Sequence, residues 1–213
     1  MLSTFTVNTD SDIKAPDSLL SLREAVAGVN SSNAPTNSVE FAMAPAGNTI
    51  SLTQGTLQLF KNATIVGLGA TNLTVQRSTA VGTPEFRVFY VGGSAFVEIS
   101  DLTVANGSDV GGGAIYNDGR LLLSSSTLSS STLSGNVSTG TYGLGGAIFN
   151  QGSLTVSNSI ISGNSGGNGG GIWNQPQGTV FISNSTLSHN VITGGGGAGR
   201  RRCHPQFRRA DRL

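Results

Sequence analysis

The sequence predicts an all-β chain: a single-stranded right-handed parallel β-helix, a solenoid with coils of about 24 residues, closed by an N-terminal amphipathic helix. Three observations predict it. The phrase Gly-Gly-(Ala/Gly)-Ile-aromatic-Asn recurs at Gly112–Asn117, Gly145–Asn150 and Gly169–Asn174, with its Ile residues 33 and 24 positions apart. Around these copies, apolar and polar residues alternate in runs of three to five bounded by Gly, Asn or Ser, as short strands with one buried face require. Composition agrees. Hydrophobic residues make up 37% and aromatics 6%, so the core is aliphatic; charged residues are only 11%, and Ser, Thr and Asn take their surface places.

Residues 1–46 hold an opening strand, Phe5-Thr6-Val7-Asn8-Thr9, and one helix. Ser21 with Glu24 three residues later forms a capping box, and Leu22, Ala25, Val26 and Val29 fall on one face at helical spacing. Asn30 and the Ser-Ser-Asn that follows end the helix. The terminal coil of a solenoid exposes strand edges and core. A helix ahead of the first coil, with Leu22, Arg23, Glu24 and Val26 as its cap residues, serves as the lid.

Residues 47–195 carry the coils. A second phrase follows the first, clearest at Leu154–Asn164 and Val180–Asn190 and looser at Val97–Gly107 and Leu121–Asn136. Its anchors Ile99, Leu123, Val156 and Ile182 are 24, 33 and 26 residues apart. Ile99, Val156 and Ile182, with Ile115, Ile148 and Ile172, are expected to point inward. The long spacing has a visible cause: Ser124–Ser129 is repeated as Ser129–Ser134, and Val137–Leu144 adds a loop. Asn residues recur in register at three corners: Asn117, Asn150 and Asn174; Asn158 and Asn184; Asn136, Asn164 and Asn190. Asn tolerates left-handed backbone at corners, and stacked Asn amides bond coil to coil. Asn72, Asn106 and Asn184 also match the N-glycosylation acceptor pattern, which arises freely in a chain rich in Ser and Thr.

Residues 196–213 differ in kind. Residues 1–199 hold six Lys/Arg against ten Asp/Glu, a balance of −4, whereas residues 200–213 hold six Arg against one Asp, a balance of +5. This segment is expected to be a disordered basic tail, out of frame or truncated, that leaves the last coil around Val180–Ile192 uncapped and prone to self-association. The basic charge is thus no property of the fold, and no nucleic-acid partner is expected. The single cysteine, Cys203, lies there too, so the body has no disulfide and no Cys-based metal site. No run of eighteen apolar residues is present to span a membrane as a helix, and Met1–Val7 lacks the basic and apolar regions of a signal peptide.

Leu20-Ser21-Leu22-Arg23-Glu24-Ala25-Val26 resembles the CSLREA box that opens a family of bacterial secreted and surface proteins, with Leu20 standing where that family has its Cys. The opening strand, Ala63–Ala70 and Phe86–Val91 also look like that family, and the Gly-Gly-Ala-Ile…Asn phrases are similar to the repeats of chlamydial polymorphic outer-membrane proteins. The resemblance spans residues 4 to about 195. It implies a pectate-lyase-like β-helix and an extracellular or outer-membrane-associated, cell-surface location.

Many β-helices degrade polysaccharides, which requires a pair of carboxylates set a few ångströms apart. Asp101 and Asp118 are the candidates, expected to approach across coils with Arg120 beside Asp118; His189, the body's one histidine, is a candidate base. The plainer reading makes the Asp residues solvated corners and His189 an exposed substitution at the place where the preceding copy has Gly163. Gly166–Gly171 resembles calcium-binding repeats but lacks their Asp, so no metal and no cofactor is expected. Tyr116, Phe149 and Trp173 occupy one repeat position and form an aromatic column, either a ligand site on the outer face or a structural ladder. The chain therefore reads as a non-catalytic extracellular or cell-surface protein, an adhesin or display stalk with glycans or a host or neighbour-cell surface as partner. The alternatives are a polysaccharide lyase or hydrolase and a carbohydrate-binding module using the aromatic column.

Overall fold

In a computed structural model the chain is all-β with one short helix, and residues 2–43, 48–124, 132–135, 137–138 and 144–193 are described. Its strands form four sheets in which every pairing is parallel. The seven-stranded sheet holds Leu2–Val7, Thr36–Phe41, Ala63–Val66, Phe96–Ser100, Arg120–Leu123, Ser153–Ser157 and Thr179–Ser183. The six-stranded sheet holds Asn48–Leu52, Leu73–Arg77, Thr103–Ala105, Thr132–Ser134, Ile160–Ser162 and Thr186–Ser188. The five-stranded sheet holds Leu57–Leu59, Phe89–Val91, Ile115–Asn117, Ile148–Asn150 and Ile172–Asn174, and the four-stranded one Ser108–Asp109, Val137–Ser138, Ser165–Gly166 and Val191–Ile192.

Within each sheet, neighbours in space are successive in sequence. From Phe96 onward the chain visits the seven-, six-, four- and five-stranded sheets in that order and then repeats. One such passage is a layer, about 4.8 Å from the next. The anchors seen in the sequence are register partners: Ile99 pairs with Leu123, Leu123 with Val156 and Val156 with Ile182, and Val39 and Ile65 continue the column below them. Ile99, Val156, Ile115 and Ile148 are fully buried, while Ile172 and Ile182, in the last described layer, pack partly exposed against the same core.

The repeated phrase works residue by residue. Its first glycine (Gly112, Gly145, Gly169) has φ of 66°, 68° and 75°, the left-handed region that side chains avoid. Its second (Gly113, Gly146, Gly170) has no room for a side chain: a Cβ would meet neighbouring backbone at 2.4, 2.1 and 2.5 Å. Ala114 and Ala147 then fill the tight corner, and the Ile that follows turns into the core. The aromatic residue takes the opposite side of the strand, as a period of two demands.

The helix Leu22–Ser31 packs on Leu2–Val7, Thr36–Phe41 and Leu57–Leu59, at the N-terminal end of the layers. Leu22, Ala25, Val26 and Val29 are its buried face. The capping box is formed: Ser21 Oγ accepts from Glu24 N, and Glu24 Oε2 accepts from Ser21 N at 2.9 Å. Arg23 meets Asp12, with Nε 2.7 Å from Oδ1, and also donates to Gly55 O. The Asp12 carboxylate accepts from Thr53 N and Gln54 N as well, so one buried acid ties the loop before the helix to the first layers. Leu2–Val7 and Thr36–Phe41 are the first two strands of the seven-stranded sheet. A boundary between residues 46 and 47 lies outside the described residues, as do most of the duplicated Ser segment and the whole of 196–213.

Candidate functional site

The five-stranded sheet carries a continuous series of aromatic rings on its outer side. Ring centroids are 5.8 Å apart for Phe60 and Tyr90, 5.5 Å for Tyr90 and Tyr116, and 4.7 Å for Tyr116 and Phe149. Tyr90, Tyr116, Phe149 and Trp173 are register partners in successive layers, and Phe60 reaches the column from just beyond the strand below. Successive rings are tilted by 59°, 43° and 43°.

Each tyrosine hydroxyl leans toward the residue two places past its partner in the next layer. The Tyr90 hydroxyl faces the Asp118 carboxylate, and Tyr116 Oη donates to Gln151 Oε1 at 2.8 Å. Burial pushes the Tyr90 hydroxyl above the ordinary tyrosine value, and the negative charge and hydrogen bond of Asp118 push it further. Tyr116 is raised by burial first and by Asp118 second, with Arg87 pulling the other way. The Arg87 guanidinium lies 4.7 Å from the centre of the Tyr116 ring and is gripped by Asp109, Nη2 to Oδ1 at 2.8 Å and Nε to Oδ2 at 2.9 Å.

The column is open at one end and covered at the other. Phe60 is 49% exposed and Tyr90 and Tyr116 are half-buried, but Phe149 is 3% exposed, held between Tyr116 and the backbone at Gly111. Trp173 is half-buried, and its Nε1 is shielded with no hydrogen-bond partner among the described residues. Of the three rings named from the sequence, Tyr116 and Trp173 are half-buried and Phe149 is covered. Phe60, Tyr90, Arg87 and Gln151 were not found by the repeated phrase; the signal for Tyr90 was its alternation in Phe89-Tyr90-Val91, without the two glycines ahead of it.

The catalytic candidates do not form a group. Arg120 is the register partner of Phe96, and Asp118 precedes it, whereas Asp101 follows Ser100 at the far end of the same strand. A strand's length separates the carboxylates, on the order of 15–20 Å, well beyond the reach of a glycosidic pair. Asp101 is buried with φ 60°, Asp118 is exposed beside Tyr90, and Arg120 lies 5.0 Å over the Phe96 ring. His189 is exposed with φ 53°, the left-handed place that Gly163 fills one layer below. Among the described residues no group of three or more His, Cys, Asp or Glu is placed to hold a metal, and no helix is long and apolar enough to cross a membrane.

The asparagine corners divide into two kinds. Asn117 Nδ2 donates to Asn150 Oδ1 and Asn150 Nδ2 to Asn174 Oδ1, both at 2.6 Å, and Asn164 Nδ2 donates to Asn190 Oδ1 at 2.9 Å. These are amide ladders between layers. Asn158 and Asn184 instead have φ of 47° and 46° with exposed side chains, and serve as left-handed corners. Asn136 lies outside the described residues. No protein-family model, curated protein or solved structure matches the chain.

Proposed function

We propose that the chain is a right-handed parallel β-helix acting as a non-catalytic extracellular or cell-surface protein, an adhesin or display stalk that contacts glycans. The constant rotation through four parallel sheets and the amide ladders support the architecture, and the resemblance of Leu20–Val26 to the CSLREA box is the ground for the location. One observation carries the contact function: the Phe60–Tyr90–Tyr116 ring series on the outside of the five-stranded sheet, flanked by Asp118. The separation of Asp101 from Asp118 weighs against the lyase or hydrolase alternative. Self-association belongs to the same proposal, since each sheet ends among the described residues on a strand between Ile172 and Ile192, with Leu187, Val191 and Ile192 exposed. A glycan array probed with the full chain tests the contact function: retention on a defined set of glycans supports it, and a blank array contradicts it.

A further inference from the structure

We propose that the face around Phe60, Tyr90 and Asp118 binds a neutral linear polysaccharide lying along the stacking direction, one sugar for each layer; this rests on the surface-protein function above and names the ligand class of the same face.

Period is the first ground. Phe60, Tyr90 and Tyr116 come from successive layers with centroids 5.8 and 5.5 Å apart, close to the layer repeat of about 4.8 Å. That repeat is close to the length of one sugar unit in an extended polysaccharide, so successive sugars of a chain laid along the stack meet Phe60 and Tyr90 in turn, up to the Arg87 guanidinium over Tyr116. Pyranose rings present apolar C–H faces, which pack on aromatic rings, and carry hydroxyls around their rims. Hydroxyl partners flank the rings here: the exposed Asp118 carboxylate and the exposed side chain of Gln58, the register partner of Tyr90. Gly92 and Gly93 keep the floor low, since a Cβ at Gly92 would lie 2.8 Å from the Phe60 ring and one at Gly93 3.4 Å from Asp118.

Charge selects the class. Arg87 is neutralised in place by its two-point grip on Asp109, and it closes the face by lying over Tyr116. Asp118 is left as the exposed charge beside Tyr90. A polyuronate would set a carboxylate on every sugar against it, a like-charge approach that disfavours binding. A neutral glycan brings hydroxyl donors, which a carboxylate accepts strongly.

Calorimetry on the full chain tests this with three probes: β-1,4-linked glucohexaose, mannohexaose and hexagalacturonate. At least one neutral hexaose is expected to bind, more tightly than the uronate. Phe60→Ala and Tyr90→Ala should each weaken it about tenfold, the loss of one ring-stacking contact. Tyr90→Phe, which keeps the ring and its packing, should retain most of the affinity, and Phe181→Ala, an exposed ring on the seven-stranded sheet, should change nothing. Asp118→Asn should narrow the preference for neutral over uronate chains. Tighter binding of hexagalacturonate than of either neutral probe overturns the ligand class. Glycan binding that survives both ring truncations overturns this site and leaves the surface function standing. No binding of any probe here, with a blank array, overturns both.

Discussion

Asn117 and Asn150 are fully buried and joined across one layer by a side-chain hydrogen bond of 2.6 Å. Asn150 passes the bond on to Asn174, and its Nδ2 also approaches Thr179 O at 3.1 Å. A one-residue slip between layers would turn these amides to the outer face and bring the aromatic rings inward. The ladder therefore fixes register as well as adding stability.

Asn150→Ala should cost about 1–3 kcal/mol, because it leaves the buried amide of Asn117 and the carbonyl of Asn174 without their shared partner. Asn158→Gly, at a left-handed corner, should be near neutral by comparison. Urea denaturation of the two variants checks the contrast.

Val156 is fully buried between Leu123 and Ile182. Val156→Asp should destabilise by about 4 kcal/mol or more through an unpaired buried charge. Ile148→Ala should cost about 2–5 kcal/mol through cavity formation. An unchanged melting temperature for Val156→Asp would refute its inward position.

Glu24 is held below the ordinary glutamate value of 4.5, first by the Ser21 backbone hydrogen bond and then by the Ser21 side chain. A depressed folded-state value means that this contribution is fully present above 4.5 and is lost as pH falls through the folded value. Glu24→Gln keeps the capping geometry without the titration. Thermal melts from neutral pH downward should show a shallower acid loss for Glu24→Gln than for the wild type.

Asp118→Asn removes a negative charge that opposes ionisation of both Tyr90 and Tyr116, so both should titrate at lower pH than in the wild type, closer to 10.0. Arg87→Gln should move them upward. Ultraviolet difference titration reads both shifts.

The layers that repeat most faithfully were the most legible from sequence. The spacing of Ile99, Leu123, Val156 and Ile182 already marks register partners, and Ser21 with Glu24 marks the helix start. The lower layers were hidden because Phe86-Arg87 stands where later copies have two glycines, so Tyr90 and Phe60 carried no phrase to align. Phe149 shows a second limit: alternation gives the side of a strand but not what covers that side. Asp101 and Asp118 show a third, since nearness in sequence did not reveal that a whole strand lies between them. Asp12, bonded to Arg23 and to the turn at Thr53, sits in a loop whose partners are far away in the chain.

The most direct measurement is the length of a glycan recovered after prolonged incubation with the full chain under conditions where it binds. A non-catalytic surface β-helix returns the bound polysaccharide at its original length, with no new reducing or unsaturated ends. Progressive shortening that disappears in Asp118→Asn would contradict the account and place the chain among the polysaccharide-degrading enzymes.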